Sequence, residues 1–336
     1  MEGKPVQGTL PFPDAEHRLL AGRSAAVERL REDIRRAAAS DAAVVILGES
    51  GTGKELAARL LHSLSRRRMK PFVPVNCAAV PETLADSELF GHARGAFTGA
   101  DRARTGLFEA AQGGSIFLDE IAEAAASFQA RLLRVLQERE VRRVGENAAV
   151  AVDARVIAAT NRSLSEAVAR GTFRQDLFYR LCVIPLRVPP LRERRDDIPL
   201  LTELFLGRAR QRTGRALRLS PEARRHLQNW DWPGNVRELE NAVERAAAMA
   251  PGDILGPPDF PLDMAFSTAA APVSLPAHPA AYRPQRLADA LAAAEERAIR
   301  EALARQPGDT AAAAAQLGIS ATTLWRKMKK MGLSGG

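Results

Sequence analysis

A chain of 336 residues carrying 48 Lys and Arg against 40 Asp and Glu, for a net charge of +8, has room for two or three domains and a sizeable core. No apolar run reaches the roughly 18 residues of a membrane span, and the stretch holding Glu2, Lys4 and Asp14 lacks the apolar centre of a secretory leader, so membrane and secreted classes are set aside and a cytoplasmic protein is expected. Cys77 and Cys182 lie in separate hydrophobic segments without metal-ligand spacing, which predicts reduced, buried thiols, while the positive balance points to a polyanionic partner.

Residues 1–19 hold prolines and glycines with no sustained period and read as an extended lead-in. Over 25–39, Val27, Leu30, Ile34 and Ala37 recur at helical spacing. Residues 42–47 are a short apolar run ending at Gly48, the pattern of a strand buried on both faces. Runs at 72–75, 115–118 and 155–159 repeat it, 183–186 is a fifth candidate, and helical stretches such as 55–65 and 127–139 lie between. This alternation predicts an α/β fold, a parallel sheet flanked by helices. Beyond Pro189 and Pro190, residues 198–210, 221–229 and 236–249 read as helices with no strand between them. A proline- and alanine-rich tether follows, then a long helix over 286–305 and two short ones split by Gly318-Ile319-Ser320.

Gly48-Glu49-Ser50-Gly51-Thr52-Gly53-Lys54 follows the first strand and opens a helix, the setting a phosphate-binding loop requires. There the backbone N–H groups face phosphate oxygens and Lys54 reaches the terminal ones. Glu55 departs from the general pattern, which has a metal-binding hydroxyl at that place. Asp119 and Glu120 end the third strand; a carboxylate there holds Mg²⁺, assigned to Asp119, and its neighbour orients an attacking water, assigned to Glu120. Thr160 and Asn161 close the next strand at the same sheet edge. The stretch 88–100 sets Gly91, Gly95 and Gly99 around a single large apolar side chain, Phe97, which reads either as a contact tip or as an ordinary loop.

At the C-terminal end, 309–317, the turn at Gly318 and 321–331 read as a helix-turn-helix with Ser320 as N-cap. Leu324, Met328 and Met331 share one face, leaving a basic face with Thr322, Thr323, Arg326, Lys329 and Lys330. Thr323 and Arg326 are the favoured base readers, Thr322 lies beside them, and Lys329 is a phosphate contact. Trp325 either touches DNA or packs on the first helix.

Through these residues the chain resembles the bacterial enhancer-binding proteins, activators of sigma-54 RNA polymerase built on an AAA+ P-loop ATPase with an α-helical lid and a small all-α Fis-type helix-turn-helix domain. The resemblance rests on the phosphate loop with its Glu55, on 88–100, on 113–121 and on Trp232-Pro233-Gly234-Asn235-Val236-Arg237-Glu238-Leu239. It implies an ATP site of Gly48, Glu49, Ser50, Gly51, Thr52, Gly53, Lys54 and Glu55, with Thr160 and Asn161 as first sensor and Arg237 as second. It also implies that Asn76 is a switch restraining Glu120, and that Arg174 or Arg180 reaches a neighbouring subunit's γ-phosphate. Gly95, Ala96, Phe97, Thr98, Gly99 and Ala100 would engage sigma-54.

The expected layout is a lead-in at 1–19, an AAA+ α/β subdomain at 20–190, a helical lid at 191–255, a linker at 256–284 and a DNA-binding domain at 285–336. The expected function is ATP-driven activation, with Mg²⁺ as cofactor and a hexameric ring acting on the sigma-54 holoenzyme from enhancer DNA. Control would come from a separate regulatory protein, unless the chain is a fragment. One rival is an AAA+ remodeller of a different protein, against which the loop at Gly95–Ala100 argues. The other is a non-hydrolysing repressor, which leaves Lys54, Asp119 and Glu120 unexplained.

Overall fold

The computed structural model describes residues 19–79, 82–96, 100–146, 148–262, 287–305 and 309–330. It divides into two compact units, 1–265 and 266–336. The first begins with α1 (Ala25–Ala38), capped by Ser24, whose hydroxyl accepts the Val27 N–H. Then come β1 (Val44–Leu47), α2 (Lys54–Leu64), β2 (Phe72–Asn76), α3 (Glu82–Phe90), β3 (Gly91–His92), β4 (Arg104–Thr105), α4 (Leu107–Ala110) and β5 (Ser115–Asp119). After these follow α5 (Ala126–Glu138), β6 (Glu140–Arg142), β7 (Ala149–Ala151), β8 (Arg155–Thr160), α6 (Leu164–Ala169), α7 (Gln175–Leu181) and β9 (Ile184–Arg187).

The main sheet is wholly parallel in the order β2-β5-β8-β1-β9. Alternating residues feed two cores: Val44, Ile46 and Phe117 meet α1 and α2, while Val45, Ile116 and Leu118 meet Phe90, Phe108 and Phe128. Burial on both faces explains why these strands read as continuous apolar runs. Leu47 pairs with Thr160 and Asn76 with Asp119, so the ends of four strands lie on one edge.

Residues 88–96 are not a simple loop. They leave α3 and run up β3, which pairs with β4 through Gly91 and Thr105. A second hairpin, β6 with β7, braces the first: Ala93 donates to the Val144 carbonyl at 3.0 Å and Val144 to Gly91 at 2.9 Å. Strands of two and three residues are too short to show a period, so neither hairpin was legible in the chain.

Beyond β9 lie α8 (Ile198–Thr213), β10 (Arg218–Leu219), α9 (Pro221–Asn229), α10 (Asn235–Met249) and β11 (Ile254–Leu255). The expectation of helices without strands is corrected here, since β10 and β11 pair in parallel and tie the region's two ends together. Leu201, Phe205, Leu239, Val243 and the fully buried Trp232 form its core.

The second unit holds α11 (Leu287–Arg305), α12 (Thr310–Gln316) and α13 (Ala321–Lys330). Ile299, Ala302, Ala313, Ala314, Leu324 and Met328 make its core, the alanines letting helices approach closely. Met331 lies outside the described residues.

Candidate nucleotide site

The chain leaves β1 at Gly48, whose N–H donates to the Thr160 carbonyl at 3.2 Å, and turns through Gly51 (φ +75°) and Gly53 (φ +99°) into α2. Both angles belong to glycine. A Cβ on Gly51 would stand 2.3 Å from the Gly234 carbonyl oxygen, so the loop lies directly against the turn that opens α10. Gly53 has no such neighbour, and no side chain caps the first turn of α2. The result is an open helix N-terminus behind a glycine turn.

Lys54 is 7 % exposed and donates to the carbonyls of Gly48 at 3.0 Å and Glu49 at 3.3 Å. Glu120 Oε1 stands 3.6 Å from the same ammonium, and Glu120 Oε2 accepts the Asn161 N–H at 3.4 Å. Glu120 has a left-handed backbone (φ 51°, ψ 46°), uncommon away from glycine, and this carries the chain from β5 into a short 3-10 turn. Asp119 Oδ1 accepts the Glu120 N–H at 3.0 Å. Burial, and then the charge of Glu120, push the Asp119 carboxyl above its usual range. Burial, and then the charges of the same two acids, push the Cys77 thiol up to about 12.

Other expected residues fall nearby with different employments. Thr160 is fully buried and its Oγ1 accepts the Arg162 N–H at 3.0 Å. Asn76 pairs with Asp119 in register, yet its side-chain oxygen accepts from Ala78 at 3.0 Å and Ala79 at 3.3 Å, capping its own turn rather than holding Glu120. Glu55 is taken by Arg59, one turn on, in hydrogen bonds of 2.9 and 2.7 Å. Ser50 Oγ accepts from Arg237 at 3.3 Å, and Thr52 Oγ1 donates to the Glu49 carbonyl at 2.8 Å.

Arg174 and Arg180 are not brought to this site. Both are exposed, Arg174 forms a two-point pair with Asp176, and neither lines the cleft that holds Lys54, Asp119, Glu120 and Arg237. Of the loop at 95–100, Phe97, Thr98 and Gly99 lie outside the described residues. Its base is closed by the Gly95 N–H donating to the Ala100 carbonyl at 2.8 Å, and Ala96 packs against Gly145 of the second hairpin.

Three residues escaped the sequence reading. Arg192 grips Glu49 with bonds of 2.8 and 2.6 Å and holds that carboxyl below its usual range. The buried Arg194 donates to the Thr52 carbonyl at 2.9 Å. Asn235 reaches the carbonyl of Ser50. Arginines abound in this chain, so spacing did not single out the first two; Asn235 was visible inside its motif without a role.

Residues 20–187 match the model of the Sigma-54 interaction domain, residues 192–275 that of the AAA+ ATPase lid domain, and residues 290–331 that of the bacterial regulatory proteins of the Fis family. The chain belongs to the sigma-54-dependent transcriptional activators. This member of the family is 46 % identical over 322 residues to the transcriptional regulatory protein ZraR of Salmonella typhi, covering 96 % of this chain and 70 % of that protein. It is 47 % identical over 321 residues to the anaerobic nitric oxide reductase transcription regulator NorR of Salmonella paratyphi C, covering 94 % of this chain and 63 % of that one. The crystal structure of NtrX from Brucella abortus superposes with a TM-score of 0.69 at 34 % identity, covering 94 % of this chain and 70 % of that chain. A second structure, of NtrX in complex with ATP, gives 0.67 at 34 % identity over 93 % and 69 % of the two chains. The fold of this activator is therefore the AAA+ fold with its lid, followed by a helix-turn-helix.

In the helix-turn-helix unit, Ser320 Oγ accepts the Thr323 N–H at 3.2 Å and sits 2.8 Å from the Thr323 hydroxyl, so both polar groups of Thr323 are engaged in the cap. Thr322, Arg326 and Lys329 are exposed. Trp325 is 61 % exposed, with the Lys329 ammonium 5.3 Å from its ring centroid, so the indole does not pack beneath the first helix.

Among the described residues no helix is long and apolar enough to cross a membrane.

Proposed function

We propose that this activator binds and hydrolyses ATP in a ring of its own copies and spends the conformational change on the sigma-54 holoenzyme while its C-terminal unit holds enhancer DNA. The observation that carries the reading is the meeting of Lys54, Asp119, Glu120 and the Asn161 N–H at one sheet edge, facing Arg237 of the lid. The proposed layout is an α/β subdomain at 20–190, a lid at 191–255 with Phe260 and Leu262 of the following segment still buried in its core, a linker beyond them to 284 and a DNA-binding domain at 285–336.

The residues present fit a nucleotide. The positive-φ glycines and the uncapped start of α2 offer N–H groups to phosphate oxygens, and Lys54 has only carbonyls and one acid to give up. They also fit Mg²⁺ held sparingly. Among the described residues no group of three acids, histidines or cysteines is assembled, and Mg²⁺ at phosphates needs only one or two carboxylates. Asp119 would hold it, and the bound ion would neutralise charge on the phosphates. Glu120 would accept a proton from the attacking water. Arg174 or Arg180, exposed and away from their own cleft, would complete a neighbour's site. The paired hairpins beneath Gly95 and Ala100 suit a loop that pushes on a partner, with Phe97 as the residue that would make the contact.

Two substitutions test the whole reading. Lys54→Ala should abolish ATP turnover and sigma-54-dependent transcription together. Phe97→Ala should keep turnover and lose transcription with sigma-54. If Phe97→Ala transcribes at the unaltered level, the target is a different protein.

A further inference from the structure

Asn235 is fully buried at the first position of α10, with φ at +55°. That angle is normally left to glycine, and asparagine is among the few side chains that tolerate it. The turn before it is fixed by Trp232, which is wholly buried and donates from its indole to the Leu227 carbonyl at 2.9 Å. The carboxamide of Asn235 is fully engaged. Its Oδ1 accepts the Leu191 N–H at 2.8 Å, and its Nδ2 donates to the Ser50 carbonyl at 3.0 Å, to Glu49 Oε2 at 3.2 Å and to the Pro233 carbonyl at 3.4 Å. The phosphate loop, the connector after β9 and the start of the lid helix thus meet on one side chain.

We propose that Asn235 is a positioning residue that locks the phosphate loop to the lid, so that loop geometry and lid angle change together when nucleotide binds. It acts through the loop and not on the phosphates. The peptide joining Ser50 to Gly51 is planar and trans, so holding its carbonyl toward Asn235 turns the Gly51 N–H the opposite way. The Gly51 carbonyl is itself held by the Arg237 N–H at 3.3 Å, two residues along the same helix. Arg192 on Glu49 and Arg194 on the Thr52 carbonyl brace the loop from the connector, and Asn235 joins that connector to the lid through Leu191. An asparagine that merely capped its own turn would need none of the bonds to Ser50 or Glu49.

The proposal rests on the nucleotide-binding reading, and the test separates the two. In the full chain, ADP binding with Mg²⁺ is measured by calorimetry, referred to the folded fraction of each sample, alongside hydrogen exchange of residues 235–243 with and without ADP. Asn235→Asp keeps the acceptor for Leu191, loses the donor for Ser50 and faces Glu49 with a second charge. Asn235→Gly takes the positive φ without strain and loses every side-chain link. Both variants should bind ADP about tenfold more weakly, the worth of a buried hydrogen bond left unmade, and both should lose the ADP-dependent protection of 235–243. If Asn235→Gly binds ADP like the unaltered chain and keeps that protection, the proposal is overturned, whatever the aspartate does. If the unaltered chain itself binds no ADP, the nucleotide reading fails first.

Discussion

The Lys54 ammonium stands 3.6 Å from Glu120 Oε1, joining the residue that closes the phosphate loop to the one that leaves β5. Neither side chain is far exposed, at 7 % and 21 %, so the pair is screened less than a surface ion pair. Lys54 completes its coordination with loop carbonyls, which are weaker partners for an ammonium than phosphate oxygens. On the proposed function, Lys54 would change partners when a nucleotide arrives and free Glu120.

Glu120→Gln is expected to leave ATP binding within about threefold and to lower turnover by about 10²–10⁴, the usual worth of a general base. Binding by calorimetry against steady-state phosphate release makes the distinction. Equal losses in both would assign Glu120 to the architecture of the loop.

The loop hairpins have an acid-sensitive brace. Arg143 donates to Glu109 at 3.0 and 2.7 Å, and this pairing, more than any other cause, holds the Glu109 carboxyl below its usual 4.5. Its folded value is depressed, so its contribution is complete above the unfolded value and is lost as pH falls through the folded one. Glu109→Gln should cost about 1–2 kcal/mol at neutral pH and flatten the acid limb of the stability profile. Denaturation across the acid range checks this; a variant whose acid limb matches the unaltered chain would rule the brace out.

Arg174 and Arg180 give a prediction about assembly. Arg174→Ala or Arg180→Ala is expected to retain ATP binding and lose turnover by about 10³ or more. Mixing the inactive arginine variant with inactive Lys54→Ala should restore part of the activity, since a Lys54 from one copy can meet an arginine from another. No recovery at any mixing ratio would place the arginines outside a shared site.

On the DNA side, Lys329→Ala should weaken binding uniformly across sequences and reduce the salt slope by about one. Arg326→Ala should relax sequence preference, costing about 1–3 kcal/mol at one position. Thr323→Val should act instead on stability, because its hydroxyl serves the Ser320 cap. Anisotropy titrations over a salt series and thermal unfolding distinguish the three.

Much of this was legible in the chain. The doubly buried strands carry unbroken apolar runs, the phosphate loop is contiguous, and the acids at 119 and 120 stand at the end of a strand, so each signal sits in one short window. Asn76 was legible as a residue and not as an employment: a carboxamide at a strand end serves its own turn or another side chain equally well, and here it caps Ala78 and Ala79. The hairpins under Gly95 and Ala100 had no period to read.

What the sequence determined by itself is therefore chemistry that depends on neighbours along the chain: fold class, phosphate loop, paired acids and basic helix. What only the tertiary structure decided depends on residues far apart. Asn235 lies 185 positions from Ser50, and Arg192 lies 143 from Glu49, so no local pattern joins them. They meet because the parallel sheet gathers its strand ends on one edge and the lid folds back over it, and hydrogen bonds act only within a few ångströms of space, whatever the distance along the chain.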